Sequence, residues 1–149
     1  MVNFRSAMCS GLLVTLLGVS ACSMAPMMSN SSAMTARLSG ASEVPPVSSN
    51  ASGTVEASLN KQTNVLSWTV TYSGLSGPAT AAHFHGPALV GENAGVAVPL
   101  MGSLASPISG TASLTAAQAS DLLAGKWYLN LHTTANPNGE IRGQVTGKS

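Results

Sequence analysis

Short runs in which apolar and polar side chains alternate fill most of the chain after residue 37. The clearest run covers residues 66–72, where Leu, Trp, Val and Tyr alternate with Ser and Thr. This period of two predicts a half-buried β-strand. A similar run at 53–59 precedes it across a polar turn at 60–64, so the two strands are predicted to form a hairpin. Further short strands are predicted at 80–86, 96–100, 110–114, 126–132 and 140–145.

Only one segment has the pattern of a helix. Thr115 and Gln118 have the spacing of a capping box, two leucines follow, and Gly125 suits the end of a helix. The helix is therefore predicted at 115–124. Seven or eight short strands with one short helix predict an all-β fold, a Greek-key-like β-sandwich.

The first 21 residues have the pattern of a secretory signal of the lipoprotein type. Arg5 precedes an apolar run at 11–19 that is too short to span a membrane. Residues 19–22 resemble a lipobox, the bacterial motif whose cysteine becomes the lipidated first residue of the exported protein. Cys22 is therefore the predicted lipidation site. The alternative is an ordinary cleaved signal, with Cys22 lost or left free.

After the signal, residues 22–36 are predicted to be the lipidated cysteine with a flexible tether, and residues 37–146 the folded domain. The tether is mostly Ser, Met and Ala without periodicity, a composition that cannot bury a face. Its methionines form either a soft thioether patch for Cu(I) or a plain apolar linker. They are Met24, Met27, Met28 and Met34. A lipid anchor predicts an exported protein of the bacterial cell envelope that is attached to a membrane.

Charge and cysteine content exclude some classes of function. The six Lys and Arg residues nearly balance the five Asp and Glu residues, so no charge field predicts binding to nucleic acid. The two cysteines are Cys9, inside the signal, and Cys22 at its end. No disulfide is therefore predicted in the exported domain, and its stability must come from an apolar core.

The histidines are the main candidates for chemistry, and the chain has three of them. His83 and His85 are one residue apart in a predicted strand, so they share one face while Phe84 points to the other. Two imidazoles on one face can converge on one metal ion. The alternative is a hydrogen-bonded pair on the surface of a strand.

The third histidine, His132, lies with Asn130 on the polar face of the strand predicted at 126–132. Glu140 and Arg142 in the last strand lie on the same side, because the apolar faces of both strands point to one core. If these strands are neighbours of the strand at 80–86, all three histidines share one face and form a candidate site for one copper or zinc ion. Glu140 is predicted either to pair with Arg142 or to orient a ligand histidine.

Four motifs occur in order along the chain. They are Leu38-Ser39-Gly40-Ala41-Ser42-Glu43-Val44-Pro45-Pro46-Val47, Ala81-Ala82-His83-Phe84-His85-Gly86, Gly125-Lys126-Trp127-Tyr128-Leu129-Asn130-Leu131-His132-Thr133 and Pro137-Asn138-Gly139-Glu140-Ile141-Arg142-Gly143-Gln144. Together they resemble the CHRD domain, a module of extracellular and bacterial exported proteins. The resemblance covers residues 36–145. It implies that the motif positions of the family are Glu43, Pro45, His83, His85, Gly86, Asn130, His132, Glu140, Arg142 and Gly143.

The resemblance says little about activity, because the CHRD domain has no generally established one. A weaker similarity to copper/zinc superoxide dismutase is confined to the His83-Phe84-His85-Gly86 piece. The two-metal dismutase site needs further histidines, an Asp ligand and a disulfide, for which this chain has no residues to spare. What remains is a mononuclear site with two or three histidines and an open position.

Two functions from different classes follow. The first is a lipid-anchored envelope module whose polar strand face and loop at 87–94 bind a protein or glycan partner. The second is a metal-binding domain, open to redox chemistry, that uses His83, His85 and His132. The sequence contains no convincing nucleophile–base pair, phosphate loop or carboxylate dyad, which favours the first, non-enzymatic function.

Overall fold

The structure is a computed structural model and describes residues 29–148. The predicted signal at 1–21, the predicted lipidation site Cys22 and the tether up to residue 28 lie outside the described residues. Within residues 29–148, no helix is both long and apolar enough to cross a membrane.

Eight strands build the described part of the chain. They are β1 (Ser31–Ser39), β2 (Ser52–Asn60), β3 (Val65–Ser73), β4 (Ala79–His85), β5 (Val96–Pro99), β6 (Ile108–Ser113), β7 (Trp127–Thr133) and β8 (Ile141–Gly147). A 3-10 turn at Gly40–Ser42 follows β1, and the helix α1 (Ala116–Leu123) precedes β7. All strands pair antiparallel in one sheet, in the order β5-β4-β7-β8-β1-β2-β3-β6. The predicted all-β fold with one short helix is confirmed.

The sheet curls until its two ends face one another. Trp68 on β3 and Phe84 on β4 belong to strands near opposite ends of the strand order, yet their rings meet edge to face with centroids 5.4 Å apart. Every strand contributes at least one side chain to a single apolar core. The result is nearly a barrel, closed by side-chain packing between the two halves of one sheet.

Both tryptophans lie in this core, as the alternation of their strands indicates. Trp127 is 1% exposed and Trp68 7% exposed. Phe84 packs between them, with its ring centroid 6.2 Å from that of Trp127. Because Phe84 faces the core, His83 and His85 point outward, as predicted.

The first strand begins earlier than the sequence analysis predicted. Residues 31–36 were assigned to the flexible tether, but β1 starts at Ser31 and pairs with β2 along its whole length. The prediction of a flexible tether is therefore wrong for residues 31–36. Met34 is 1% exposed and packs in the core, so it cannot belong to a thioether patch on the tether; Met24, Met27 and Met28 lie outside the described residues.

The predicted capping box is present at the start of the helix, and a glycine after the helix leads the chain into β7. The Thr115 hydroxyl accepts a hydrogen bond from the Gln118 backbone N–H at 3.2 Å, and Gln118 Oε1 accepts one from the Thr115 N–H at 2.9 Å. The chain leaves the helix through Gly125, whose φ of 72° is a conformation that glycine adopts without strain. Trp127 then enters the sheet as the first residue of β7.

Strand β7 is buried on both faces, which alternation alone does not predict. All seven residues from Trp127 to Thr133 are buried. Two loops cover the polar face: Ala94 N–H donates to the Tyr128 hydroxyl at 3.3 Å, and His132 Nδ1–H donates to the carbonyl of Pro137 at 2.9 Å. The polar face of β7 is therefore shielded from water, and each polar group on it needs a hydrogen-bond partner from the protein.

Candidate metal centre

The pairing of β4 with β7 brings the three histidines together. The antiparallel register sets His83 opposite Asn130 and Ala81 opposite His132, so His83 and His132 are diagonal neighbours on one face. The prediction that the three histidines share a face required these strands to be adjacent, and the strand order makes them so. This adjacency joins residues that are far apart in the sequence.

The three rings lie close enough together to bind one metal ion. Their centroids are 4.9 Å apart for His83 and His132, 5.4 Å for His83 and His85, and 6.4 Å for His85 and His132. One ring nitrogen from each residue lies within 4.8 Å of the corresponding nitrogens of the other two. The spacing suits a mononuclear site after small adjustments of the side chains.

Two of the rings are held from behind by backbone carbonyls. His85 Nδ1–H donates to the carbonyl of Ala94 at 3.0 Å, and His132 Nδ1–H donates to that of Pro137 at 2.9 Å. A carbonyl can only accept, so Nδ1 carries the hydrogen in both residues. In the neutral ring Nε2 then keeps its lone pair, which is how proteins fix the tautomer of a metal-binding histidine.

Burial favours the neutral form of two of the histidines. Burial lowers the pKa of His83 below its usual 6.5, and the charges that His132 and His85 would carry lower it further. Burial also lowers the pKa of His85, although its contacts with the Ala94 carbonyl and Asn130 Oδ1 favour the protonated ring and act in the opposite direction. His85 and His132 are buried and His83 is partly exposed, so solvent reaches the cluster on the His83 side.

Asn130 lies at the centre of the cluster rather than beside it. Its Oδ1 is 3.0 Å from Nε2 of His85 and 2.9 Å from Nε2 of His132. His83 Nδ1 is 3.1 Å from the same His132 nitrogen. The sequence predicts Asn130 only as a motif residue on the same face. In the structure its side-chain carbonyl oxygen contacts two of the candidate ligands.

A stack of planar groups leads away from the histidines. The ring of Tyr128 lies parallel to that of His85, with an interplanar angle of 5° and centroids 4.8 Å apart. The guanidinium of Arg142 covers the other side, 3.3 Å from the Tyr128 ring centre. Arg142 also donates to Asn93 Oδ1 at 2.9 Å and to the Glu92 carbonyl. Arg142 thus holds over the site the loop at 87–95, which lies between β4 and β5.

Glu140 has neither of its two predicted partners. Its carboxylate accepts hydrogen bonds from the Ser49 hydroxyl, the Ser76 N–H and hydroxyl, and the Thr133 hydroxyl, at 2.5 to 2.9 Å. Burial by itself raises the pKa of Glu140, but these hydrogen bonds outweigh it and lower the pKa to about 2. Glu140 is therefore a charged anchor for loops beside the cluster and does not contact a histidine.

Glu43, which the sequence marks only as a motif position, carries the most unusual carboxyl group of the site. Glu43 is 6% exposed, and its Oε1 has no hydrogen-bond partner. Burial raises its pKa to about 7, although the charge of Arg142 and the Val44 N–H oppose the shift. Its position in the first family motif, before Val44-Pro45-Pro46, was its signal in the sequence.

Glu43 Oε1 and Asn130 Nδ2 both lie next to Gly139, on the side where a side chain would project. A Cβ added to Gly139 would lie closer than 3.0 Å to both atoms. The lack of a side chain at Gly139 therefore lets the loop before β8 close against the carboxyl of Glu43 and the amide of Asn130.

Comparison with known proteins identifies the family but no relative of known function. The CHRD domain family matches residues 34–145, which are most of the chain and nearly all of the described residues. No curated protein and no solved structure matches the chain significantly. All three histidines, Asn130 and Glu43 fall within the matched region. The chain therefore belongs to the CHRD domain family.

Proposed function

We propose that the protein binds one divalent transition-metal ion, zinc or copper(II), through His83, His85 and His132. The observation that carries the proposal is the convergence of one nitrogen from each ring to within 4.8 Å. Imidazole nitrogens bind both metals well. The lowered pKa values of His83 and His85 favour the neutral rings that metal binding requires.

Calorimetric titration of the tag-free protein with Zn(II) near neutral pH tests this. We expect one equivalent to bind, and His83→Ala or His132→Ala to remove most of the affinity, since two imidazoles chelate poorly. Glu56→Gln, a change at an exposed carboxylate on the opposite half of the sheet, is the matched control and should bind as the wild type does. A wild type that shows no saturable one-equivalent binding would overturn the proposal.

The same titration has a predicted pH dependence. Protons compete with the metal for neutral imidazoles, so affinity should fall on acidification. Because the pKa values of His83 and His85 lie below their usual value, the fall should become steep only below about pH 6.5. Titrations between pH 5 and pH 8 measure it.

The location of the protein is a separate proposal. The lipobox-like residues 19–22 support export and attachment to a bacterial envelope membrane through a lipid on Cys22. Cys22→Ala should move the protein from the membrane fraction to a soluble fraction or block its processing. Intact-mass analysis of the membrane-bound protein that shows no lipid on Cys22 would contradict the proposal.

A binding role for the 87–95 loop is the second candidate function. Leu89 and Val90 are 56% and 80% exposed, while hydrogen bonds hold the loop on either side of them, from Ala88 N–H to the Lys126 carbonyl and from Arg142 to the Glu92 carbonyl. Exposed aliphatic groups on a held loop suit a protein or glycan partner in the envelope. Replacing Leu89 and Val90 by Ser should reduce retention on envelope fractions and leave zinc affinity unchanged; equal retention would contradict this role.

A further inference from the structure

The polar atoms at the centre of the histidine cluster lie at hydrogen-bond distances from one another but carry too few hydrogens to form all of those hydrogen bonds. The carbonyls of Ala94 and Pro137 fix the hydrogens of His85 and His132 on Nδ1, so in the neutral rings both Nε2 atoms carry lone pairs. Each Nε2 faces Asn130 Oδ1, itself an acceptor, at 3.0 Å and 2.9 Å. These are hydrogen-bond distances between atoms that have no hydrogen to share.

His83 cannot supply what is missing. Its Nδ1 lies 3.1 Å from His132 Nε2, and a hydrogen there would serve that one contact. The contact between His85 Nε2 and Asn130 Oδ1 would remain without a hydrogen. A cation among these atoms would be attracted by all of their lone pairs at once.

The surroundings of Asn130 support the orientation in which its oxygen faces the rings. On the other side of the amide, Nδ2 and the buried Oε1 of Glu43 crowd the same point beside Gly139. An amide N–H₂ suits this position whether or not Glu43 is ionised, whereas a turned-over amide oxygen would suit only the protonated carboxyl. Keeping Nδ2 toward Glu43 leaves Oδ1 directed at the histidines.

From this geometry we infer that Asn130 Oδ1 is the fourth ligand of the proposed metal ion, beside Nδ1 of His83 and Nε2 of His85 and His132. The inference rests on the proposed function. Ligands of tetrahedral zinc lie about 2.0–2.2 Å from the metal and so about 3.4 Å from one another. The contacts of 2.9 to 3.1 Å need to widen by a few tenths of an ångström to admit the ion, and ring nitrogens that lie up to 4.8 Å apart need to move closer by up to about 1.4 Å.

The donor set defines both the class of metal and its role. Three imidazole nitrogens and one amide oxygen suit Zn(II), Co(II) and Cu(II), whereas Cu(I) prefers sulfur donors. Four ligands from the protein leave no open position, which is the arrangement of structural zinc sites. The ion therefore links β4 to β7 and, through the two anchored rings, holds the loops that contain Ala94 and Pro137.

Cobalt is the probe that separates this inference from the proposed function, because its visible absorption responds to the number and kind of ligands. Titration of the tag-free protein with Co(II) should give the intense bands of a four-coordinate site. Asn130→Ala should weaken binding by about 10-fold or more and change the spectrum. Asn130→Asp, which keeps an oxygen donor and adds charge, should bind at least as tightly as the wild type. Asn50→Ala, at an exposed residue, is the control and should change neither quantity.

Each result has one meaning. If the wild type does not bind Co(II), the proposed function itself fails. If the wild type binds and Asn130→Ala has the same affinity and spectrum, three histidines form the site and Asn130 is not a ligand. If Asn130→Ala does not fold, Asn130→Asp decides: weaker binding with an altered spectrum in that variant overturns the inference. A merely structural role for Asn130 would lower stability in both variants and leave the cobalt spectrum unchanged.

Discussion

The outer surfaces of the two halves of the sheet are both polar, but they differ in how their polar groups are satisfied. On β2, β3 and β6, short hydroxyl side chains pair across strands at the surface, as in Thr54 with Thr71 at 2.7 Å and Thr69 with Ser109 at 3.1 Å. On β4, β7 and β8 and in the turns beside them, imidazole, amide, carboxylate and guanidinium groups lie under loops, and most of them are buried. Water satisfies the first surface, whereas the second depends on specific partners.

The difference shows where side-chain identity is constrained by structure. A hydroxyl exposed on β3 can be exchanged at little cost, because water replaces its partner. A polar group under the 87–95 loop cannot, because its loss leaves another buried group without a hydrogen bond. Chemistry is therefore expected on the covered half of the sheet, and the histidines lie there.

The largest effect should be the same on both halves, because they share one core. Trp68 lies beneath the hydroxyl-bearing half and Trp127 beneath the histidine-bearing half. Replacing either by Ala should lower the free energy of unfolding by roughly 3 to 5 kcal/mol. Urea unfolding of the two variants measures it. A much smaller loss for either variant would show that this half does not pack on the common core.

A comparison of two carboxylates should show the difference between the surfaces most clearly. Glu140→Gln replaces an oxygen that accepts hydrogen bonds by an N–H₂ group that faces donors, and should cost about 2 to 3 kcal/mol at pH 7. Glu56→Gln, at an exposed residue paired with Lys148, is the matched control and should cause no measurable change.

The Glu140 effect also has a predicted pH window. Its pKa is lower in the folded protein than the usual 4.5, so its contribution is present above pH 4.5 and lost as the pH falls through about 2. The two proteins should therefore converge in stability in strong acid. An equal difference at pH 7 and pH 2 would mean that the carboxylate charge is not what stabilises the loops.

A smaller effect of opposite sign is expected at Glu43. Its pKa of about 7 exceeds the usual 4.5, so the stability that its neutral form contributes is complete below pH 4.5 and lost as the pH rises through 7. Glu43→Gln lacks the buried charge and should be more stable than the wild type at pH 8 by up to about 2 kcal/mol, after allowance for solvent screening. At pH 4.5 the two should be nearly equal. Unfolding midpoints with the same pH dependence in both proteins would contradict this.

Much of the sheet was predictable because alternation reports directly which residues face a core. The hairpin formed by the strands at 53–59 and 66–72 and the capped helix both lie where the sequence indicated. Residues 31–36 were missed because serines and small residues masked the inward spacing of Met34, Ala36 and Leu38, which all proved to be buried. Apolar side chains at every second position are therefore a strand signal even when two of the three are small or flexible.

The site was predictable only in part. The shared face of His83 and His85 follows from their spacing, but the position of His132 depends on β4 pairing with β7, a long-range contact that no local pattern specifies. The roles of Ala94 and Pro137 were not predictable either, because backbone carbonyls have no sequence signature. Glu140 was assigned to the wrong partners, because Ser49 and Ser76 in loops and Thr133 at the end of β7 supply its donors.

The most direct test of the metal site is diffraction from crystals of the tag-free protein grown with one equivalent of Zn(II), measured at the zinc absorption edge. A single strong anomalous peak is predicted about 2.0 to 2.1 Å from Nδ1 of His83 and from Nε2 of His85 and His132. A peak elsewhere, or none among these three rings while the protein is otherwise folded as described, would contradict the account.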